Sequence, residues 1–577
     1  MAKQQTKPFT VADYLLTRLK QLNVTVVFQI PGDYVKHFTQ ALEHFEGIET
    51  IGTTNELDAS YAADAYARTR GLSAVSLQYG VSTYSALNAV AGAYVERSPM
   101  VVISACPGAD ARKIGDMYGV LYHHSTGNLN ADQEIYEHVT VAAETLSTSA
   151  GAPEKIDALL VAALTEQRPV YIACYREVWG EPCEKPSKKK LEAIIKKSNK
   201  AKLENAVNQA WSQIKLAKNP LVFAGVELLR HGLTDLLEEL IEESGILYTT
   251  TSLGKSVLDE EGNKFIGTYS DQASIQNVID LVENCDCLLS LGTIITDDYV
   301  WLAENKYSDM ILSTTETTRV GYFVYDEITP RDFMEALIKK FKKDNKYPLK
   351  AKAPKQPKYP KPWATNSDLD FDTPSKSDDI TFNRFFECNM KFLKDNKMLD
   401  DIIMTFGVSS AMYVATNAYG LKQNSFISSA AWQCIGFETG AASGAQLGSG
   451  KRAWTIAGDG GFMMICQALS TLSRFNLNGV VFVMSNGVYA IEQVFVDVKA
   501  FEPGPKHKFD AFDILPKWNY EGLATAYNTN YLRAETTSEL EDVLKKLKKN
   551  NKKPTLVEIV IPEKVLPQQM ERIANLG

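Results

Sequence analysis

Residues 453–492 read AWTIAGDGGFMMICQALSTLSRFNLNGVVFVMSNGVYAIE, and this stretch decides the fold of the part of the chain that contains it. Two apolar runs, Ala453 to Ala457 and Gly479 to Met484, lie on either side of a helix-like segment that ends at Phe475. A Gly-Asp-Gly-Gly turn follows the first run, and a Ser-Asn-Gly turn follows the second. This order predicts strand, turn, helix and strand, which is the repeating unit of a parallel α/β sheet.

The ends of the two predicted strands are suited to a phosphate group held through a metal ion. Ligands of parallel sheets bind beyond the carboxyl ends of the strands, where backbone N–H groups of the loops favour an anion. Asp459 and Asn486 offer hard oxygen donors of the kind that Mg²⁺ or Ca²⁺ prefers when it bridges to a diphosphate. A Gly-Asp-Gly tripeptide alone is more often an ordinary turn. The second polar turn, some two dozen residues later, favours the ligand site.

These residues resemble the cofactor motif of enzymes that depend on thiamine diphosphate (ThDP). In addition, residues 486–492, NGVYAIE, are similar to the N-D-G-Y-T-I-E segment of the pyruvate and indolepyruvate decarboxylase family. The resemblance implies that a Mg²⁺ ion is held by Asp459, Asn486 and the backbone carbonyl of Val488. It also implies that Glu492 is an active-site carboxylate. The glycines that the resemblance places against the diphosphate are Gly458, Gly460 and Gly461.

Alternating short apolar runs and helical patterns fill the first third of the chain, which is typical of a doubly wound parallel sheet. The chain opens with a capping box, Thr10-Val-Ala-Asp13, ahead of a helical apolar pattern. Three polar features then stand at element ends: Asp33 follows a strand, Glu56 begins a helix, and His123-His124 lie in a loop. Taken singly, the acids are ordinary turn or first-turn residues.

Three segments here are similar to the same decarboxylase family and occur in its order: IPGDYVKHF (30–38), TTNELDASYAADAYAR (53–68) and YHHSTGN (122–128). The resemblance implies that Glu56 contacts the pyrimidine nitrogen of the cofactor. The histidine pair is its most diagnostic feature, because related ThDP carboligases generally lack it. The catalytic residues implied by the resemblance are Glu56, Asp33, His123, His124 and Glu492.

Two further segments resemble cofactor contacts of the family. FGVSSA (406–411) is similar to T-G-T-S-A-F, and WQCIG (432–436) is similar to W-G-S-I-G. The resemblance adds four cofactor-binding residues: Gly407, Val408, Gln433 and Ile435, the last of which props the cofactor into its bent shape. The positions that depart from the family pattern, and so predict altered cofactor contacts, are Phe406, Val408, Gln433, Gly461 and Val488.

The resemblance implies an α/β protein with three doubly wound parallel-sheet domains. We expect a pyrimidine-binding domain at 1–185, a middle structural or regulatory domain at 195–345, and a diphosphate-binding domain at 380–577. Residues 346–379 are rich in Pro and Lys and are predicted to be a linker. In the resembled family the site forms between two subunits, which implies at least a homodimer and favours a homotetramer.

The implied reaction is the non-oxidative decarboxylation of a 2-keto acid to an aldehyde and CO₂, through a ThDP carbanion and enamine, with ThDP and Mg²⁺ as cofactors. The resemblance places Ser410, Ala411 and Ile491 on the substrate side, and the first two are small at positions that are large in some members of the family. Pyruvate, indolepyruvate, phenylpyruvate and branched-chain keto acids therefore all stay open as substrates. Two alternatives also stay open: a carboligase of the acetolactate synthase type, and an inactive ThDP-fold scaffold.

Length and composition set outer bounds on this hypothesis. A chain of 577 residues predicts several domains, and a net charge of -9 argues against nucleic acid as a partner. Its apolar stretches are too short to span a bilayer, and residues 1–10 lack the apolar core of a signal peptide, so we expect a cytoplasmic enzyme without a membrane partner. Eight cysteines in so long a chain do not predict a disulfide framework, and Cys285 and Cys287, which lie in a strand-like run, are predicted to be core thiols.

Overall fold

The computed structural model describes residues 8–354, 378–549 and 552–574. These residues form three β-sheets, two of six strands and one of seven, connected largely through helices, and the strands of each sheet are mostly parallel. The expected α/β class is therefore confirmed. The described chain divides into two compact units: the first contains residues up to Ile195 together with Gly440–Gly450 and Ser470–Phe475, and the second contains the other described residues. Most of the predicted linker, 355–377, lies outside the described residues.

The first sheet lies in the first unit, and its strand order is β2-β1-β3-β4-β6-β5 with every pair parallel. Its elements are α1 (Val11–Gln21), β1 (Val26–Gln29), α2 (Lys36–Glu43), β2 (Glu49–Gly52), α3 (Glu56–Arg70), β3 (Ser73–Ser76), α4 (Val81–Val95), β4 (Met100–Cys106), α5 (Ala109–Tyr118), α6 (Ala131–Tyr136), β5 (Ala142–Leu146), α7 (Ala152–Glu166) and β6 (Val170–Tyr175).

Local sequence signals start the helices of this sheet. The predicted capping box is present: Thr10 Oγ1 accepts from the Asp13 N–H at 3.3 Å, and Asp13 Oδ2 accepts from the Thr10 N–H at 2.9 Å. Asn55 caps α3 by accepting from the Asp58 N–H at 2.8 Å. Helix α3 therefore begins at Glu56, directly after the carboxyl end of β2, and the fold places this acid at the edge where ligands of parallel sheets bind.

The second sheet lies in the second unit, in the order β13-β12-β11-β10-β7-β8-β9. Its elements are α8 (Lys200–Leu216), β7 (Pro220–Ala224), α9 (Val226–Arg230), α10 (Thr234–Ser244), β8 (Leu247–Thr250), β9 (Phe265–Thr268), α11 (Gln276–Glu283), β10 (Cys287–Leu291), α12 (Val300–Asn305), β11 (Met310–Ser313), β12 (Thr318–Val320), β13 (Phe323–Tyr325) and α13 (Pro330–Lys343). Strands β12 and β13 are antiparallel, because a two-residue loop can join only antiparallel neighbours. The middle sheet is therefore parallel with an antiparallel edge.

The third sheet is wholly parallel, in the order β15-β14-β16-β17-β19-β18. Its elements are α14 (Phe382–Asp395), β14 (Ile402–Phe406), α15 (Ser410–Ala415), β15 (Phe426–Ser428), α16 (Phe437–Ser449), β16 (Arg452–Gly458), α17 (Asp459–Ile465), α18 (Ala468–Arg474), β17 (Val480–Ser485), α19 (Ala490–Asp497), α20 (Tyr520–Ala526), β18 (Asn530–Ala534), α21 (Thr537–Lys549), β19 (Thr555–Val560) and α22 (Gln568–Ala574). Strands β16 and β17 are neighbours, as the opening stretch predicts, although the single predicted helix between them is divided into α17 and α18.

Two predictions from composition can be compared with this fold. All eight cysteines are free and six of them are buried, including Cys285 and Cys287, which lie in the core as predicted. Within the described ranges, every helix is too short or too polar to cross a membrane.

Candidate active site

Asp459 and Asn486 meet at the ends of neighbouring strands. Asp459 Oδ2 accepts from the backbone N–H groups of Asn486 at 3.0 Å and Gly487 at 2.7 Å, and Oδ1 accepts from Gly460 at 3.0 Å. Burial raises the pKa of Asp459 to about 6, while these backbone N–H groups oppose the shift. The carboxylate is thus fixed in the turn after β16, with a second oxygen donor on the turn after β17.

A cavity of about 380 Å³ opens beside this pair in the second unit. Most of the residues predicted to hold the cofactor, the metal or the substrate line it. They are Val408, Ser410, Gln433, Ile435, Gly458, Asp459, Gly460, Gly461, Asn486, Val488, Ile491 and Glu492. Sequence motifs from four separate segments therefore converge on one cavity.

Ala411 does not line this cavity, although the sequence analysis placed it in the substrate pocket. It is fully buried in the hydrophobic core of the third sheet, whereas Ser410 lines the cavity. Successive residues of a helix point about 100° apart, so the first turn of α15 turns Ser410 to the cavity and Ala411 to the core. Phe406 is also a core residue, with its ring stacked on Phe426 at a centroid distance of 4.6 Å.

Gln433, which stands where the resembled family has Gly, keeps a glycine-like backbone with φ at 56°. Its side chain donates from Nε2 to Asp298 Oδ2 at 2.8 Å. Burial, and then the charge of Asp297, raises the pKa of Asp298 to about 6. Both aspartates line the cavity, and the sequence analysis missed them. Their signal was an acidic pair shortly after the buried strand β10.

Glu492 lies in the first turn of α19 and is exposed. The loop at 513–514 supports the turn before it: the Tyr489 N–H donates to the Asp513 carbonyl at 2.9 Å, and Val488 forms a β-bridge with Ile514. Burial, and then the charge of Glu492, raises the pKa of Asp513. Asp513 is a third acid missed from the sequence, since the contact joins segments that carry no shared motif.

In the first unit, Asp33, His123 and His124 form a cluster whose potential ligand atoms all lie within 4.8 Å of one another. His123 Nε2 is 3.4 Å from Asp33 Oδ2, while Gln78 Nε2 donates to Asp33 Oδ1 at 2.9 Å. The Tyr79 hydroxyl donates to the His123 carbonyl. The two predicted catalytic features are therefore brought together and held by Gln78 and Tyr79.

The turn at Gly80 fixes the loop of the histidines. Gly80 has φ at 68°, and a side chain there would overlap the His124 carbonyl. Buried Asp132 accepts from the Gly80 N–H at 2.9 Å and from the Thr83 hydroxyl at 2.6 Å. This turn requires glycine for both its torsion and its contact.

Glu56 is also in the first unit, at the start of α3. Its Oε1 accepts from the Ser82 hydroxyl at 2.7 Å. Ser82 is almost fully buried at the start of α4. The acid is therefore held in a defined orientation by a residue that the sequence analysis did not single out.

The cavity of the second unit fits the diphosphate end of ThDP and its metal. Asp459, Asn486 and the Val488 carbonyl are hard oxygen donors at one edge of the sheet. Gly460 is required there, because a side chain would overlap the ring of Tyr489. Gly458 and Gly461 also line the cavity.

Comparison with known proteins agrees with this geometry. Three successive segments match the thiamine pyrophosphate (ThDP) enzyme domains: the N-terminal TPP binding domain at 9–134, the central domain at 207–315 and the C-terminal TPP binding domain at 407–559. The chain belongs to the thiamine pyrophosphate enzyme family. ThDP is therefore its cofactor, as the sequence predicted.

Relatives that align over almost the full length of this chain show which members of that family it is similar to. A pyruvate decarboxylase of Aspergillus terreus is 28% identical over 99% of this chain and 98% of its own length. Pyruvate decarboxylase isozyme 3 of Saccharomyces cerevisiae is 27% identical over 98% of each chain. A probable pyruvate decarboxylase of Schizosaccharomyces pombe is 25% identical over 97% of this chain and 95% of its own. The resemblance to the ThDP-dependent 2-keto acid decarboxylases is confirmed.

Proposed function

We propose that this protein is a ThDP- and Mg²⁺-dependent decarboxylase that converts a 2-keto acid, with pyruvate as the first candidate, into an aldehyde and CO₂. The observation that carries the proposal is the cluster of Asp33, His123 and His124, with its 3.4 Å contact between Asp33 and His123. The histidine pair sets the decarboxylases apart from the carboligases of the same family. The relatives named pyruvate decarboxylase support the same reaction and substrate.

The cavity of the second unit would anchor the cofactor. Asp459, Asn486 and the Val488 carbonyl would hold Mg²⁺ against the diphosphate. The other cofactor contacts proposed here are Gly407, Val408, Gln433, Ile435, Gly458, Gly460 and Gly461. The backbone torsion of Gln433 supports its place in this set, since its carbonyl can face the cofactor while its side chain is held by Asp298.

When bound, ThDP supplies the nucleophilic carbon that adds to the keto group and the electron sink that accepts the electrons released with CO₂. Glu56 would donate a hydrogen bond to, or accept one from, the pyrimidine nitrogen and so set its proton state. Asp33, the two histidines and Glu492 would hold a proton near the departing carboxylate and return it before the aldehyde leaves. Gln78 and Ser82 would keep Asp33 and Glu56 oriented for these roles.

The proposed assembly is a homodimer at minimum, with a homotetramer favoured, and the catalytic residues of one copy complete the cofactor cavity of another. A cytoplasmic location belongs to the same proposal. Sedimentation analysis with and without ThDP and Mg²⁺ measures the assembly directly. A monomer that is fully active at high dilution would contradict the shared site.

The substrate range is proposed to be centred on pyruvate, with larger 2-keto acids as the competing hypothesis. Ser410 leaves room at the cavity wall, but the rings of Tyr413, Phe382 and Phe495 line the same cavity. Ala411 no longer supports the larger pocket, because it lies in the core. Relative kcat/KM values for pyruvate, 2-ketoisovalerate, phenylpyruvate and indolepyruvate separate the two hypotheses.

The decisive assay mixes the protein with ThDP, Mg²⁺ and these keto acids and follows aldehyde through a coupled NADH-dependent reductase. We expect aldehyde from the wild type and a loss of roughly a thousandfold or more in Glu56→Gln, with unchanged thermal unfolding. Acetohydroxy acid in place of free aldehyde would support a carboligase. Cofactor binding without any product would support a scaffold.

A further inference from the structure

Glu438, in the first turn of α16, is a buried carboxyl with no role in the site described above. The residue is 2% exposed, and its Oε2 has no hydrogen-bond partner among the described residues. Burial raises its pKa to about 8, opposed by the backbone N–H groups of Glu438 itself and Gly436. A buried polar atom without a partner costs free energy, so its presence calls for a reason.

Three glycines surround this carboxyl. A Cβ at Gly461 would lie 2.6 Å from Glu438 Oε1 and 3.3 Å from the Gly436 nitrogen, and a Cβ at Gly407 would overlap Glu438 Oε2. The carboxyl therefore occupies the space that a side chain at 461 or 407 would need. Each glycine belongs to a different cofactor segment: 406–411, 432–436 or 458–461.

The position of Glu438 gives a physical reason for one departure from the family pattern. Gly461 stands where the resembled enzymes have Ser, and Ser brings a Cβ and a hydroxyl into the same space. With Glu438 present, a Ser at 461 would meet a carboxyl oxygen held by packing on all sides, since the residue is almost fully buried. A glutamate at 438 and a serine at 461 would therefore compete for the same space.

We propose that Glu438 is a positioning residue for the ThDP site: its carboxyl replaces the side chain missing at Gly461 and fixes the three cofactor segments relative to one another. It accepts from the Gly436 N–H, and it packs against the backbone at Gly407 and Gly461. It is not among the residues that line the cavity, so it acts through those backbones rather than by touching the cofactor. The proposal rests on the ThDP site and not on the identity of the substrate.

A double-mutant cycle tests this coupling, with the Kd of ThDP in saturating Mg²⁺ measured by calorimetry on apoprotein without substrate. Gly461→Ser should weaken binding about tenfold or more, because the new Cβ meets Oε1. Glu438→Ser should weaken it about threefold to tenfold by leaving a void. The double variant should return to within about threefold of wild type, which is the signature of interacting sites.

Two further variants separate positioning from general stability. Glu438→Gln keeps the shape of the side chain and should keep the affinity for ThDP. Ser443→Ala is a matched control on the same helix, since Ser443 is also buried and its hydroxyl has no partner in the described part of the chain, and it should leave the affinity unchanged. Thermal unfolding of each apoprotein identifies any variant whose loss of binding reflects loss of folding.

Several outcomes would overturn the proposal. Losses that simply multiply in the double variant would show that residues 438 and 461 act independently. Normal affinity in Gly461→Ser would show that the carboxyl does not fill that space. A loss in Glu438→Gln as large as in Glu438→Ser would contradict a role based on shape. Since each readout is binding without turnover, the result stands apart from whether the enzyme makes aldehyde.

Discussion

The two clusters of the candidate site differ in how far water reaches them. In the first unit, the side chains of Asp33 and His123 are 56% and 58% exposed. In the second unit, Asp459 is 4% and Asn486 7% exposed, and backbone N–H groups hold the Asp459 carboxylate. A buried, fixed carboxylate is suited to holding an ion in place, whereas an exposed cluster can exchange protons with a substrate. In the single chain, the residues proposed to hold the metal are therefore buried, while those proposed to handle the proton are exposed on a surface that the proposed assembly would cover.

The largest expected effect comes from removing Asp459, the buried carboxylate that is proposed to hold the metal. Asp459→Ala takes away a proposed metal ligand and the acceptor for three backbone N–H groups. We expect the affinity for ThDP with Mg²⁺ to fall by more than about a hundredfold, with activity lost in proportion. Calorimetric titration of the apoprotein measures this, and the same titration on His123→Gln should give a nearly normal Kd. Equal losses of ThDP affinity in both variants would contradict the assignment of cofactor binding to the buried cluster alone.

The buried carboxyl of Glu438, in the second unit, should also make the free energy of unfolding depend on pH. The pKa of Glu438 is raised to about 8 from 4.5, so between these values the folded chain holds a proton that the unfolded chain has released. The contribution is fully present below the unfolded pKa and is lost as pH rises through the folded pKa. At about 1.4 kcal/mol per pKa unit, the loss amounts to a few kcal/mol, and Glu438→Gln should not show it.

Chemical unfolding of wild type and Glu438→Gln at about pH 5 and about pH 8 checks this expectation. The free-energy difference between the two proteins should shift in favour of the glutamine variant at the higher pH. Other buried acids such as Asp459 are common to both proteins and cancel in the comparison. A difference that does not change with pH would mean that Glu438 titrates normally in the folded chain.

The smallest expected effect concerns the exposed cluster of Asp33, His123 and His124 in the first unit. Gln78→Met removes the hydrogen bond to Asp33 Oδ1 and the acceptor for the Tyr34 N–H. We expect kcat to fall about tenfold, because Asp33 loses its orientation, while the Kd of ThDP stays within about twofold of wild type. Steady-state kinetics beside cofactor titration separates the two. Loss of cofactor affinity would show that Gln78 supports anchoring instead.

Much of the fold and of the site was predictable because the signals are local. The capping box at Thr10, the Asn55 cap before Glu56 and the glycine turns after β16 and β17 each depend on a few consecutive residues. Parallel neighbours place their carboxyl ends at one edge, so the meeting of Asp459 and Asn486 follows from the order of elements alone.

The remaining features depend on packing between distant segments. The hydrogen bond between Gln433 and Asp298 joins segments that follow strands of two different sheets in the second unit. The proposed role of Glu438 depends on its packing against Gly407 and Gly461. The burial of Ala411 in the core could not be predicted, because the sequence does not fix the rotation of a short helix against its core. These features are tertiary contacts, and no single sequence motif predicts them.

Gln433 has a consequence for how such proteins are recognised. The residue adopts a left-handed backbone that usually belongs to glycine, at a cost of about 1–2 kcal/mol. In the proposed site its contribution comes from the main chain, so the requirement at this position is for a torsion angle and only indirectly for a residue type. Searches that demand glycine here would discard sequences that preserve the required conformation. A filter based on which residues tolerate that torsion, together with an acidic partner for the side chain, would retain them.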